Sequence, residues 1–129
     1  FSPALNQKQL LRYYFVKNKN RDKEITWQNF NNYLIEEEFF KDLNQSKRMS
    51  KEHWLGQNYF TECSQIDFND FLPLPAIKIL NIHGNQDDKV PLESNKHTAD
   101  IIINNGDHDL QRPDMVGQYL NTVIDFLIN

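Results

Sequence analysis

Upstream of residue 72, apolar and aromatic positions recur at helical spacing. Downstream the pattern changes to strand, turn, strand, turn, helix. Leu10, Leu11, Tyr14 and Phe15 fall on one helix face with polar residues between them, and the polar stretch KNKNRDKE (17–24) ends that element. Trp27, Phe30, Tyr33 and Leu34, then Phe39, Phe40 and Leu43, predict a second, longer helix or helix pair, with Thr26 placed to cap its start. His53, Trp54 and Tyr59 predict a third, shorter helical segment, loosened at Gly56. The glutamates at 36–38 read as a solvated helix face. Aromatic stripes of this kind are most simply core, because large apolar side chains are usually buried. The functional alternative is a helical cap whose inner face lines an apolar pocket.

Past the breakers Pro73 and Pro75, the segment 77–82 is rich in β-branched residues (Ile77, Ile79 and Ile82, with Leu80) and ends at Gly84. Such a run predicts a strand buried on both faces. Ala99 to Ile103 predicts a second strand. Between them PLESNKHT (91–98) has room for one turn of helix at most, a short crossover for parallel strands. Pro113 and Asp114 suit a helix start. Val116, Tyr119, Leu120, Val123, Ile124 and Leu127 then repeat at intervals of 3, 4 and 7, an amphipathic helix running to the C-terminus. No internal repeat or low-complexity tract is present.

The composition narrows the class. At 129 residues, 39% hydrophobic and 25% charged, the chain reads as one soluble domain or part of one. A net charge of −4 offers no basic footprint, so nucleic acid is not an expected partner. No apolar run approaches the roughly 18 residues that cross a bilayer. The single cysteine, Cys63, cannot close an internal disulfide, which fits a reducing, cytoplasmic setting. The chain opens at Phe1, and FSPAL resembles the end of a strand. The expectation is therefore a fragment, or a processed piece, of something longer.

Two loops carry the candidate chemistry. HGNQDDKVP (83–91) lifts carboxylates off the end of the first strand, and NNGDHDL (104–110) presents a histidine at the end of the second. Ligands gather at the carboxyl ends of the strands in α/β sheets. A histidine works there as a general base when a carboxylate fixes its tautomer and steadies the imidazolium. Asp87 and Asp88 compete for the role of acid. His108 taken alone could be a turn histidine satisfied by Asp107 or Asp109; beside Asp87 the catalytic reading is preferred. His83 is expected to pack or bond near its strand end, and His53 and His97 are given no role. The rival chemistry is a metal site drawn from His83, Asp87, Asp88, Asp107, His108 and Asp109, though neither helical i, i+4 ligands nor a Cys/His grid is present.

The residues Gly84, Asp87, Val90 and Pro91, followed by Ile103, Gly106 and His108, resemble the acid and histidine loops of the α/β-hydrolase superfamily. The resemblance implies Asp87 as triad acid and His108 as triad base. It implies the C-terminal part of that fold, parallel strands flanked by helices, with 1–5 ending a core strand, 6–72 forming a helical cap and 73–129 belonging to the core. It also implies acyl-enzyme chemistry on a small carboxylic ester, thioester or acyl substrate, without a cofactor. The helices behind FSPA are similar as well to those of small carboxylesterases that demethylate pimeloyl esters on acyl carrier protein. The departures matter. No G-x-S-x-G elbow occurs around Ser2, Ser46, Ser50, Ser64 or Ser94, Cys63 in TECSQ is no substitute, and the early His-Gly loop is missing. The serine is thus expected from a missing N-terminal half or a partner chain. The competing class is a non-catalytic, degenerate hydrolase-fold binding module.

Overall fold

A computed structural model of the chain describes residues 3–44, 47–48, 54–55, 57–72, 75–95 and 99–129. They fall into two compact units, Asn6–Phe68 and the pair Phe1–Leu5 with Asn69–Asn129.

In the first unit Asn6 starts helix α1 (Gln7–Lys19) by accepting the Gln9 N–H on its side-chain oxygen at 3.1 Å. That bond satisfies one of the donors left open at a helix N-terminus. Lys17 and Lys19 lie in the last turn, where cations favour the helix dipole. The buried face is Leu10, Tyr13 and Val16, rotated from the Leu10, Leu11, Tyr14, Phe15 face that the pattern predicts. Tyr13 decides the rotation. Its ring meets Trp27 at 5.5 Å and Phe30 at 5.6 Å, both edge-on, and Ile25 closes the cluster.

The long second helix predicted from Trp27 is not formed. Residues 27–29 are a turn and Phe30–Asn32 a 3-10 turn; the helix proper, α2 (Glu36–Leu43), begins after Ile35. Thr26 therefore caps no α-helix. Local side-chain bonding explains this. The Asn29 oxygen accepts the Thr26 N–H at 2.8 Å and its amide donates to Glu24 O at 3.0 Å, offering the backbone an alternative to helix. Glu36, Glu37 and Glu38 occupy the first turn of α2, favourably for its dipole. They are more than a solvated face, because Glu36 and Glu38 reach back to α1. Lys19 bonds Glu38, and Arg12 grips both Glu36 oxygens, Nε at 2.7 Å and Nη2 at 3.2 Å.

Arg12 is buried, and Nη1 also donates to Lys8 O and Ser64 O, each at 2.8 Å, while the guanidinium lies 4.5 Å from the Phe39 ring centre. One side chain thus joins α1, α2 and the end of α3 (Gln57–Cys63). Between these helices β1 (Lys47–Arg48) pairs antiparallel with β2 (Trp54–Leu55). Trp54 is accordingly in a strand and not in the predicted third helix, which starts only at Gln57; His53 and Gly56 lie outside the described residues.

The second unit holds the parallel sheet. Strand β3 (Ile82–Gly84) pairs with β4 (Ile101–Ile103) in the register Ile82 to Ile101, His83 to Ile102, Gly84 to Ile103. Both are shorter than the predicted 77–82 and 99–103. Ile77 and Ile79 are 61% and 45% exposed, so the expected burial on two faces holds only for Ile82–Gly84. Pairing sets the limit: among the described residues no strand lies beside 77–80, and a strand without a neighbour has no ladder to hold it extended. Residues 3–5 likewise form no strand where the end of one was expected; Phe1, Ser2 and Pro73 lie outside the described residues.

Among its described residues the crossover contains one helical turn, a 3-10 turn at Leu92–Ser94. Helix α4 (Pro113–Ile128) packs Met115, Tyr119 and Val123 onto Ile82, Ile103 and Leu110. The seam is again rotated from the prediction, since Leu120, Ile124 and Leu127 remain exposed. The chain is in class a mixture of helices with a small parallel sheet. Among the described residues no helix is long and apolar enough to cross a membrane.

Truncating Arg12 to Ala should leave the Glu36 carboxylate without its guanidinium and a void beside Phe39. Glu36 is half exposed, so the loss comes mainly from the Lys8 and Ser64 carbonyls left without their donor. We expect about 2 kcal/mol, the scale for unsatisfied buried acceptors, read as a lower denaturation midpoint. Arg12→Lys should recover little of it, because an ammonium cannot span Glu36 and two carbonyls together.

Candidate functional site

The two strands end in glycines for a shared reason. A Cβ on Gly84 would stand 2.3 Å from Gly106 O, and one on Gly106 would stand 2.7 Å from Gly84 Cα. The loops cross backbone against backbone, an approach that any side chain would block. Neither glycine has positive φ; the left-handed position in NNG is Asn105, at φ 56°, and Asn tolerates it better than most residues. Gln86 N–H donates to Gly106 O at 2.9 Å and Asn85 N–H to Ile103 O at 3.1 Å, sewing the two loops together.

Immediately beyond that crossing Asp87 turns inward. Its Oδ1 accepts the N–H groups of Lys89 (2.9 Å) and Val90 (2.8 Å), an Asx-type turn. This leaves Oδ2 for His108, whose Nδ1 lies 3.0 Å away. The Asp87 side chain is 0% exposed and that of His108 is 32% exposed. With the carboxylate as acceptor, Nδ1 carries a proton, and in the neutral ring Nε2 keeps its lone pair. A histidine in this state, anchored on one side and half open on the other, can take a proton at Nε2.

The His108 loop is held as firmly as the Asp87 loop. Asp107 Oδ1 accepts the Leu110 N–H at 2.9 Å, and Tyr119 on α4 donates its hydroxyl to Leu110 O at 3.1 Å. Leu110 is buried with φ 54°, a conformation unfavourable for a branched side chain and sustained here by both bonds and the apolar cluster around it. Arg112 Nη2 donates to Asn105 O at 2.9 Å. Asp107 therefore serves the turn and not the His108 ring, whose bond is to Asp87.

The other candidates separate cleanly. Asp88 and Asp109 are exposed. His83 is fully buried; its Nε2 lies 2.8 Å from Val90 O and 3.6 Å from Asp87 Oδ2, and its Nδ1 meets the Asn95 amide nitrogen at 3.1 Å. Among the described residues no group of three His, Cys, Asp or Glu side chains is disposed to hold a metal ion. Ser64 is buried with its hydroxyl donating to Thr61 O at 2.7 Å, and Ser94 is buried with its hydroxyl unpartnered among the described residues. Ser2, Ser46, Ser50 and His97 lie outside the described residues. Cys63 sits one helical turn beyond Tyr59. It pushes the tyrosine hydroxyl above its ordinary range, chiefly by charge, with burial and a side-chain hydrogen bond adding to it.

Sequence reasoning missed the N–H groups of Lys89 and Val90 and the side chain of Asn95. The first could have been found, since an Asp two and three residues before open N–H groups is an Asx-turn signal. The second had none, because Asn95 reaches His83 only through the fold.

Gly84→Ala should force the loops apart, as should Gly106→Ala. A backbone oxygen 2.3 Å away cannot yield as a flexible side chain would. The expected cost is about 3 kcal/mol or more, at the upper end of overpacking, with loss of the His108–Asp87 bond in imidazole NMR spectra. An unchanged denaturation midpoint would refute the close approach.

No protein-family model matches the chain, and no curated protein and no solved structure matches it either.

Proposed function

We propose that the chain supplies the acid and base of a serine-hydrolase triad of the α/β-hydrolase type, Asp87 as acid and His108 as base. One observation carries the reading: a buried carboxylate 3.0 Å from Nδ1 of a partly exposed histidine, each just past the end of one of two paired parallel strands. A turn histidine satisfied by its neighbours has no need of a carboxylate 21 positions upstream.

The chemistry follows from that geometry. A serine hydroxyl placed at His108 Nε2 gives up its proton as its oxygen attacks the carbonyl carbon of an ester or thioester. Asp87 holds the ring in the productive tautomer and stabilises the imidazolium. Backbone N–H groups hold the oxyanion. His108 then hands the proton to the departing alcohol or thiol, leaving an acyl-enzyme. Water, deprotonated in the same way, releases the acid and restores the serine. No serine of the chain stands in a G-x-S-x-G elbow, so the proposal takes the nucleophile from another segment of a longer protein or from a partner chain.

The test is a serine-directed fluorophosphonate applied to the protein as isolated from its natural source, followed by intact mass measurement. One adduct, on a polypeptide that contains this chain or copurifies with it, is expected. No adduct on any copurifying polypeptide would sink the proposal. Within the active assembly Asp87→Asn should lower turnover of a simple ester by about 10⁴-fold, the scale set by losing the acid of such a triad. His108→Ala should lower it at least as far, with the circular dichroism spectrum unchanged in both. Near-wild-type turnover in either variant would refute the assignment.

A further inference from the structure

His83 lies next to the Asp87–His108 pair without joining it, and three facts define its state. It sits in β3, fully buried, its ring on the sheet face opposite the α4 cluster. Its Nε2 faces the Val90 carbonyl oxygen, which can only accept, so Nε2 carries a proton. Its Nδ1 faces the amide nitrogen of Asn95, which can only donate, so Nδ1 carries none. With the Asn95 amide in this orientation the ring bears its proton on Nε2, the tautomer opposite to that of His108.

Val90 is the link between the two rings. Its N–H grips Asp87 Oδ1 at 2.8 Å and its carbonyl accepts from His83 at 2.8 Å. The turn that clamps Asp87 is thereby tied to the interior of a paired strand. His83 Nε2 also lies 3.6 Å from Asp87 Oδ2, the oxygen bonded to His108, so that oxygen has two imidazoles near it.

We infer that His83 is the positioning residue of the Asp87–His108 pair. Held as the neutral Nε2–H tautomer by Val90 O and Asn95, it fixes the carboxylate that fixes the base. Its role in catalysis rests on the hydrolase reading; the positional tie does not, and it can be measured in the chain without any turnover. Among the described residues the titratable groups facing His83 are Asp87 and, beyond it, His108.

The experiment is ¹⁵N-edited NMR of the imidazole rings in the intact protein that contains this chain, near neutral pH, in the wild type and in His83→Gln and His83→Leu. The wild type should show His83 protonated at Nε2 and His108 protonated at Nδ1, each as a single tautomer. His83→Gln keeps an N–H for Val90 O and should retain the His108 signature. His83→Leu removes that donor and should convert His108 to a mixture of tautomers while the backbone spectrum stays dispersed. A folded leucine variant with His108 still in one tautomer overturns the inference. So does a wild-type His83 protonated at Nδ1, or at both nitrogens with the Asn95 amide reversed. If the leucine variant does not fold, the glutamine variant decides: loss of the fixed His108 tautomer there overturns it as well. Failure of fluorophosphonate labelling would touch only the hydrolase reading, and a wrong tautomer only this one.

Discussion

The contact between Gly84 and Gly106 is the constraint on which the site depends. Parallel strands place their ends side by side, but their loops ordinarily diverge around the side chains of the turn. Here the two backbones meet where a methyl group would stand 2.3 Å from a carbonyl oxygen. That approach allows Gln86 to bond Gly106, sets Asp87 immediately beyond the crossing, and delivers His108 to it. Freedom of φ is not what the glycines contribute; absence of volume is. Among the described residues of this unit the left-handed ones are Ala76, Asn105 and Leu110.

Around that crossing, each polar group has a defined direction of donation. The two oxygens of Asp87 divide their work, one fastened to the N–H groups of its own turn and one turned to His108. Burying a carboxylate costs several kcal/mol unless hydrogen bonds replace its water, and here backbone and imidazole supply them together. The strain at Leu110, of order 1–2 kcal/mol for a non-glycine in the left-handed region, is offset by the Asp107 and Tyr119 bonds that fix both ends of its peptide links. His83 and His108, in the same small site, face different partners, one a carbonyl and an amide and the other a carboxylate.

In the Asn6–Phe68 unit a single buried arginine has a comparable place. Arg12 satisfies Glu36 and two carbonyls while its planar face rests on Phe39. A helix of 13 residues and two shorter ones are close to the length at which isolated helices are marginal. Their stability comes from this cross-link and from the aromatic clusters around Tyr13 and Phe39.

What the sequence determined by itself was the helices at the two ends, the short crossover and the places of the two loops that follow the paired strands. These rest on local signals: apolar periodicity, Pro and Gly punctuation, and residue types at fixed offsets. Tertiary structure decided which face of a helix is buried, because Tyr13 and Met115 were chosen by what they meet and not by their spacing. It also decided that 77–80 is no strand, since a strand exists only beside another, and that Thr26 begins a turn, since Asn29 closes back upon it. The resemblance already favoured Asp87 over Asp88, and the fold supplies the physical reason for the one that faces His108. The two carboxylates are chemically alike and adjacent in the chain, and only the crossing of two glycines turns one of them toward a histidine and leaves the other in water.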